Sequence, residues 1–316
     1  MRAALVTSFD APPQVADIPV PVPTEGGSLG TVLASALHPR VRSQADGSHY
    51  TTTGDLPLVP GVDGVARDEN GDLRYFVQET GAMAEQVALD PRRSVVLPAG
   101  VDPVVIAAAM NPAMSSWIAL RRRIEVAPGS RVLIMGATGN AGRMAVQIAR
   151  RLGAAHIAAA GRDPERLAAL PGLGADDVIE LGGEADTVRD ALAEVGRDVD
   201  VVLDYLWGEP TAAALRAIVP ARADDSRPLT WIEIGSVTGP ESPIPSAALR
   251  ATNLRIVGSG QGSVAPRDIL EELPGLAAEI SRGGYDIAAR AVPLRDVTAA
   301  WFDAATTTER LVIVPD

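Results

Sequence analysis

The stretch that decides the fold is Arg131-Val132-Leu133-Ile134-Met135-Gly136-Ala137-Thr138-Gly139-Asn140-Ala141-Gly142. Residues 131–135 are mainly apolar and predict a short buried strand, and residues 140–152 have the spacing of a helix that ends before Gly153. Gly139 and Gly142 have the spacing of the last two glycines in G-x-G-x-x-G, and Ala137 stands in place of the first. A strand, a glycine turn and a helix in this order predict a dinucleotide-binding loop.

The two glycines of this loop have separate physical roles. Glycine at position 139 lets the backbone approach a pyrophosphate, and glycine at 142 lets the helix pack closely on the strand. The unpaired N–H groups at the start of the helix then face the phosphates, together with the positive end of the helix dipole. Tight glycine turns also occur without a ligand, which is the alternative reading. The expected cofactor contacts in the loop are Thr138, Gly139, Asn140 and Ala141.

The type of dinucleotide is indicated about 20 residues beyond the loop, at the end of the second strand. A site for NADH usually has Asp or Glu there to bond the ribose hydroxyls. Here Gly161 and Arg162 come first, and Arg166 follows one helical turn later, which leaves room and positive charge for a 2′-phosphate. The alternative is that Arg162 is a solvated surface residue and Asp163 an ordinary helix N-cap. The pattern predicts NADPH as the cofactor, bound by Gly161, Arg162 and Arg166.

From residue 103 onward, predicted strands alternate with predicted helices. After the first strand, further strands are expected at 157–160, 178–181, 199–204, 229–234 and 254–258. Helical stretches are expected between them, near 163–170, 184–195 and 210–219. This alternation predicts βαβ units and a doubly wound parallel sheet.

The first 100 residues follow a different pattern. Their short apolar runs are separated by Pro, Gly, Asp and Asn, which predicts a β-rich antiparallel or barrel-like unit without a long helix. After residue 265, a helix, a strand, a second helix and a closing strand at 310–314 return to this first unit. We therefore expect an α/β protein of two domains, one formed by residues 1–112 and 266–316 and the other by residues 113–265.

Two absences in the composition exclude several chemistries. All 28 residues counted as Lys or Arg are Arg, and the chain has no Cys. Without Lys, the chain forms no Schiff base with a carbonyl substrate and has no P-loop. Without Cys it has no thiolate nucleophile, no disulfide and no Cys-built zinc site. Any chemistry must come from a cofactor, or from Ser, Tyr, His and carboxylates.

The charge of the chain indicates the class of partner. A formal net charge of −12 argues against nucleic acid and against anionic membranes, because both are bound through basic surfaces. The N-terminus lacks the layout of a signal peptide, since Asp10 comes early in it. We expect a cytoplasmic protein whose partner is a small molecule, with no nucleic acid and no membrane.

Several motifs resemble those of one protein family. Residues 60–65, Pro-Gly-Val-Asp-Gly-Val, resemble its P-G-x-D-G-x-V, and the glycine loop, residues 201–204, residues 254–260 and the ending 293–315 are also similar. The chain resembles the zinc-free quinone oxidoreductase branch of the medium-chain dehydrogenase/reductase superfamily over nearly its whole length. The resemblance implies a GroES-like β-rich catalytic domain made from both chain ends, with an inserted Rossmann nucleotide-binding domain. Further cofactor contacts are then expected from Ser115, Gly235 and Ser259.

The resemblance also identifies candidate catalytic residues. Zinc-containing relatives hold a metal with Cys, His and Cys, and the matching places here are His38, Val62 and Asn111. One possible ligand in three places cannot complete a tetrahedral site, so we expect no metal. The groups expected to stabilise or protonate the substrate oxygen instead are His38, Tyr50 and Asn111. The alternatives are that His38 is structural, that Tyr50 only lines the substrate pocket, and that solvent donates the proton.

The function implied by the resemblance is NADPH-dependent reduction of a quinone, enone or related carbonyl compound. One alternative is an enoyl-thioester or carbonyl reductase of the same superfamily, and another is a non-catalytic NADPH-binding protein. Relatives are often dimers that pair sheet edges, which here points to residues 254–258 and to a homodimer. Because the chain lacks Lys, Arg310 is a candidate for a cofactor role in which relatives often use Lys.

Overall fold

The computed structural model describes residues 1–49 and 51–316, so Tyr50 lies outside the described residues. The chain divides into two compact units, one of residues 1–111 and 270–316 and one of residues 112–269. The described strands are β1 (Arg2–Leu5), β2 (Gln14–Asp17), β3 (Ser28–Leu37), β4 (Asp63–Arg67), β5 (Leu73–Val77), β6 (Gln86–Leu89), β7 (Ser94–Val96), β8 (Arg131–Met135), β9 (His156–Gly161), β10 (Asp177–Glu180), β11 (Val201–Asp204), β12 (Leu229–Glu233), β13 (Leu254–Gly258), β14 (Ala289–Pro293) and β15 (Arg310–Val314).

The described α-helices lie mainly between the strands of the second unit. They are α1 (Pro39–Ala45), α2 (Pro103–Ile118), α3 (Asn140–Arg151), α4 (Pro164–Ala168), α5 (Ala185–Gly196), α6 (Gly208–Ala221), α7 (Ala248–Ala251), α8 (Pro266–Ser281) and α9 (Val297–Asp303).

The unit of residues 112–269 is built on a six-stranded parallel sheet. Its strand order is β10-β9-β8-β11-β12-β13, so the chain moves outward from β8 to one side and then outward from β11 to the other. The order reverses between β8 and β11, and ligands of such sheets bind at this point, outside the carboxyl ends of the strands. Strand β8 is central because Val132, Leu133, Ile134 and Met135 are buried on both faces. The predicted doubly wound parallel sheet is confirmed.

The other unit is β-rich, as expected. Its seven-stranded sheet has the order β14-β15-β3-β4-β5-β7, with β6 also paired to β3. Strand β15 pairs antiparallel with β3, where Leu311 faces Leu37, so the chain end completes the sheet begun by the N-terminal part. Apolar side chains from β15 and α9 pack with those of β3 and α1, among them Leu37, Val41, Val297 and Ile313.

Two short elements of this unit differ from the sequence prediction. Helix α1 was not expected, because seven residues are too few to display a helical period; Pro39 at its first position favours a helix start. Strand β2 pairs with β1 although its residues are mostly exposed, so its polar sequence lacks the alternation of a half-buried strand.

One helical segment is long and apolar enough to cross a membrane by length and composition. It comprises α2 and the π-helical turn Ala119–Arg123, 21 residues in all. However, 67% of its most apolar stretch is buried inside the protein, as is usual for a core helix.

Candidate functional site

The glycine loop after β8 closes tightly on itself. Gly136 has a φ of +87°, and the N–H groups of Gly136 and Ala137 both donate to the carbonyl of Ala160 on β9, at 2.9 and 2.8 Å. A Cβ atom at Gly142 would lie 2.3 Å from the Gly136 oxygen. Glycine at 142 is therefore required for the first turn of α3 to pack against the end of β8.

Gly139 is different, because none of the described residues crowds it. A Cβ atom there would meet only the Gly136 oxygen, at 3.5 Å, and Gly139 itself is exposed. Gly139 is also the N-cap of α3 and has no side chain to accept from the first N–H groups of the helix. The open side of the loop and the uncapped helix start fit a phosphate group in contact with the backbone.

Three residues at the end of β9 border this loop. A Cβ atom at Gly161 would lie 2.5 Å from a methyl carbon of Thr138, so glycine permits their contact. Arg162 is exposed. Arg166 is partly buried, and burial together with the nearby positive charge of Arg143 lowers the pKa of its guanidinium. Two basic side chains from α3 and α4 thus lie close together, an arrangement that favours an anion.

Asp163 is a helix N-cap, which is the structural alternative given for it above. Its carboxylate accepts from the N–H of Arg166 at 3.1 Å, as a helix N-cap does.

On the β11 side of the point where the strand order reverses, two hydroxyl groups form a hydrogen-bonded pair. Tyr205 follows β11, and its hydroxyl lies 2.9 Å from the Ser115 hydroxyl, which in turn donates to the carbonyl of Pro112 at 2.8 Å. Burial raises the pKa of Tyr205 to about 12. Gly235 and Ser259 follow β12 and β13, so these predicted residues lie at the same carboxyl edge of the sheet as the glycine loop.

Asp204, at the carboxyl end of β11, was not predicted as a structural residue from the sequence. Its buried carboxylate accepts from the N–H groups of Leu206 and Trp207, from the Thr211 hydroxyl and from the indole of Trp231. These bonds hold the turn after β11, in which Trp207 has a φ of +56°. The signal available in the sequence was an acidic residue at the end of an apolar strand.

In the unit of residues 1–111 and 270–316, three polar residues form a buried cluster. His38 lies between β3 and α1, Asp63 begins β4 and Tyr75 lies on β5; each is at most 1% exposed. The Nε2 atom of His38 is 3.0 Å from Oδ1 of Asp63, and the Tyr75 hydroxyl donates to Oδ2 at 2.7 Å. Burial lowers the pKa of His38, against the opposing effect of Asp63, and burial raises the pKa of Tyr75 well above its usual range.

The sequence-predicted catalytic residues are only partly described by the structure. His38 belongs to the buried cluster, Asn111 is half-buried on α2, and Tyr50 lies outside the described residues. Within residues 1–49 and 51–316, no three His, Asp or Glu side chains come together as a metal site. Arg310 is buried and donates to the carbonyl of Leu37 at 3.1 Å; burial lowers its pKa to about 10.

Known proteins resemble this chain, some over part of its length and some over all of it. The family of zinc-binding dehydrogenases matches residues 141–282. The chain is 33% identical to the probable NADPH-dependent quinone reductase tdiC of Emericella nidulans, and the alignment covers all of both proteins. It is 26% identical to the chloroplastic NADPH-dependent alkenal/one oxidoreductase of Arabidopsis thaliana, over 72% of this chain and 68% of that protein.

A solved structure agrees with these relatives. The quinone oxidoreductase of Thermus thermophilus, which has also been crystallised with NADPH, superposes with a TM-score of 0.85 at 25% identity and covers 99% of this chain and 100% of its own. The β-rich unit is accordingly the GroES-like domain and the parallel-sheet unit the Rossmann domain. The chain belongs to the quinone oxidoreductase branch of the medium-chain dehydrogenase/reductase superfamily.

Proposed function

We propose that the protein is an NADPH-dependent oxidoreductase that reduces a quinone, enone or related carbonyl compound without a catalytic metal. The observation that carries the proposal is the glycine loop, in which Gly142 is sterically required while Gly139 leaves the helix start open. NADPH, when bound, supplies the hydride. The residues of the chain bind the cofactor, orient the acceptor and handle the proton.

The cofactor is held along the carboxyl edge of the parallel sheet. The backbone of Gly139, Asn140 and Ala141 receives the pyrophosphate, and Thr138 and Gly161 form the adjoining wall. Arg166 and Arg162 bind the 2′-phosphate, and Arg143 adds positive charge beside Arg166. The contacts assigned to the other half of the cofactor are Ser115, Gly235 and Ser259.

The acceptor is handled by the GroES-like domain, whose boundaries we assign as residues 1–112 and 266–316, with residues 113–265 forming the Rossmann domain. Tyr50 and Asn111 act directly on the oxygen that gains negative charge during reduction, as the family resemblance implies, and His38 acts on it through an intervening O–H group. An oxyanion is stabilised by polar groups that are already in place before the charge develops. These assignments require no metal ion, in keeping with Val62 and Asn111 at two of the three metal-ligand places of zinc-containing relatives.

We further propose a cytoplasmic homodimer. Strand β13 is one of the two edges of the parallel sheet, and among the described strands it pairs only with β12. An edge strand presents unpaired N–H and C=O groups to a second chain. The size of the protein in solution, measured by light scattering, tests the dimer, and a monomer at all concentrations would contradict it.

An acceptor panel tests the function. NADPH consumption is followed with quinones, enones, aldehydes and enoyl thioesters in parallel, and NADH is the control donor. Consumption with quinones or enones supports the proposal. Consumption confined to enoyl thioesters would assign the chain to that branch instead. Tight NADPH binding without consumption by any acceptor would indicate a non-catalytic binding protein.

A further inference from the structure

The hydrogen bonds of Asp63 determine the tautomer of His38. Both carboxylate oxygens of Asp63 face donors: Oδ1 faces Nε2 of His38 at 3.0 Å, and Oδ2 accepts from the Tyr75 hydroxyl at 2.7 Å. A carboxylate accepts hydrogen bonds and cannot donate one. In the neutral imidazole, the proton must therefore be on Nε2, and Nδ1 carries the lone pair.

The Nδ1 atom of His38 is the unusual feature of this cluster. It is buried, and it has no hydrogen-bond partner among the residues that the structure describes. Buried polar atoms are nearly always paired with protein or with water, so Nδ1 requires a partner from outside the described residues, either a water molecule or a ligand. A lone pair held in this way can accept a hydrogen bond from an O–H group, but it has no proton to give.

We propose that Asp63 is a positioning residue which holds His38 as the Nε2–H tautomer, so that His38 acts through Nδ1 as a hydrogen-bond acceptor and not as a proton donor. This inference rests on the proposed function, because it concerns the substrate oxygen in that reduction. The partner of Nδ1 is an O–H group, carried either by a hydroxylated acceptor or by a water molecule. Such a water passes its other proton to the reduced oxygen, and the hydroxide that remains takes up a proton from solvent.

The tautomer is measured directly by ¹⁵N NMR on histidine-labelled protein. The chain has only 3 His, so His49→Gln and His156→Gln variants identify the His38 signals by elimination. At neutral pH we expect a protonated Nε2 and an unprotonated Nδ1. A proton on Nδ1 of the unmodified protein would overturn the proposal, whatever activity the protein has.

An Asp63→Asn variant reverses the tautomer. Its amide oxygen accepts from Tyr75 and its NH₂ group donates to Nε2, which moves the imidazole proton to Nδ1. We expect kcat to fall by about 10-fold, the effect of losing about one hydrogen bond, while the Kd for NADPH stays the same. The double variant Asp63→Asn with Tyr75→Phe frees the amide oxygen for His38, and it should restore the Nε2–H tautomer and part of kcat.

The matched control is Asp68→Asn. Asp68 is a buried carboxylate in the same unit, bonded to Arg74 at 2.7 Å, and its loss should lower stability without changing the His38 tautomer or kcat. Two results would assign Asp63 a purely structural role. One is a kcat that falls in proportion to stability in both Asp63→Asn and Asp68→Asn. The other is a double variant that has the restored Nε2–H tautomer but no recovery of kcat.

The two sources of the O–H group give different results. With 2-(hydroxymethyl)-1,4-naphthoquinone and 2-methyl-1,4-naphthoquinone as acceptors, which differ only in a neutral hydroxyl, an equal Asp63→Asn penalty identifies water. A larger penalty for the hydroxylated quinone identifies the substrate hydroxyl. If the unmodified protein reduces no acceptor, the proposed function fails, while the NMR result on the tautomer stands by itself.

Discussion

Arg166 is the residue whose surroundings point most clearly to a phosphate group. Its guanidinium is partly buried and lies close enough to Arg143 for the two positive charges to interact. The carboxylate of Asp163 opposes this repulsion in part, and a phosphate group bound beside the two guanidinium groups would offset it further. Arg162, which follows β9 directly, is exposed and in a weaker position to bind tightly.

We expect Arg166→Ala to weaken NADPH binding by about 10- to 100-fold, the effect of losing one hydrogen bond between charged groups. Titration calorimetry with NADPH and with NADH separates the 2′-phosphate from the rest of the cofactor. NADH binding should change little, and Arg162→Ala, the exposed control, should have the smaller effect on NADPH. Equal losses for both dinucleotides would place Arg166 away from the 2′-phosphate.

Alanine substitutions at Gly142 and Gly139 separate the packing of the loop from its binding of the cofactor. Gly142→Ala puts a Cβ atom 2.3 Å from a backbone oxygen and should lower the free energy of unfolding by about 1–3 kcal/mol. Gly139→Ala meets nothing closer than 3.5 Å, so thermal stability should stay nearly unchanged while NADPH affinity falls. A Gly139→Ala variant with full affinity would show that the backbone does not approach the pyrophosphate there.

At the level of elements, the turn between β11 and α6 depends on one carboxylate. Asp204→Asn can no longer accept at both oxygens, so at least one buried donor among Thr211, Trp231 and the turn N–H groups loses its partner. We expect a loss of at least about 2 kcal/mol in urea unfolding, since each unpaired buried group costs about 1–3 kcal/mol. Asp186→Asn on the exposed face of α5 is the control. Similar midpoints for both variants would contradict an anchoring role.

The elements that the sequence predicted best are short apolar strands with turn residues at both ends. The predicted bounds of β8, β13 and β15 agree with the structure residue for residue, because turn or polar residues at both ends of a short apolar run mark its limits locally. The glycine loop was predictable for the same reason, since its strand, turn and helix are contiguous. Helix α1 and strand β2 were missed because short or exposed segments have no such pattern.

The polar cluster could not be predicted from the sequence. His38 and Asp63 are 25 residues apart, and Tyr75 is a further 12 residues along the chain. They meet because β4 pairs with both β3 and β5, and the register of those pairs sets which side chains face each other. The family resemblance identifies His38 as a candidate, but only the sheet assigns it a partner.

At the scale of the whole molecule, the buried histidine couples stability to pH. Burial, opposed by Asp63, lowers the pKa of His38 below its ordinary value of 6.5, and Arg310 and Arg40 act in the same direction as burial. The unfolded chain then binds a proton more readily than the folded protein. The contribution of His38 to stability is present above pH 6.5 and is lost as the pH falls through the folded pKa.

We therefore expect thermal unfolding to occur at progressively lower temperature as the pH is lowered below 6.5. His38→Asn removes this titration, so its melting temperature should depend less steeply on pH over the same interval. Tyr75 and Asp63 remain in both proteins and do not account for the difference. Parallel pH profiles for the variant and the unmodified protein would contradict a neutral, buried His38.

Metal-free reduction driven by NADPH is best tested by one measurement: kcat/KM for a quinone with NADPH and with NADH, after exhaustive treatment with a chelator. We expect undiminished turnover with NADPH and a preference over NADH of about 10-fold or more, since at least one charged contact is made to the 2′-phosphate. Turnover that disappears with the chelator and returns with Zn²⁺, or equal turnover with both dinucleotides, would contradict metal-free, NADPH-driven reduction.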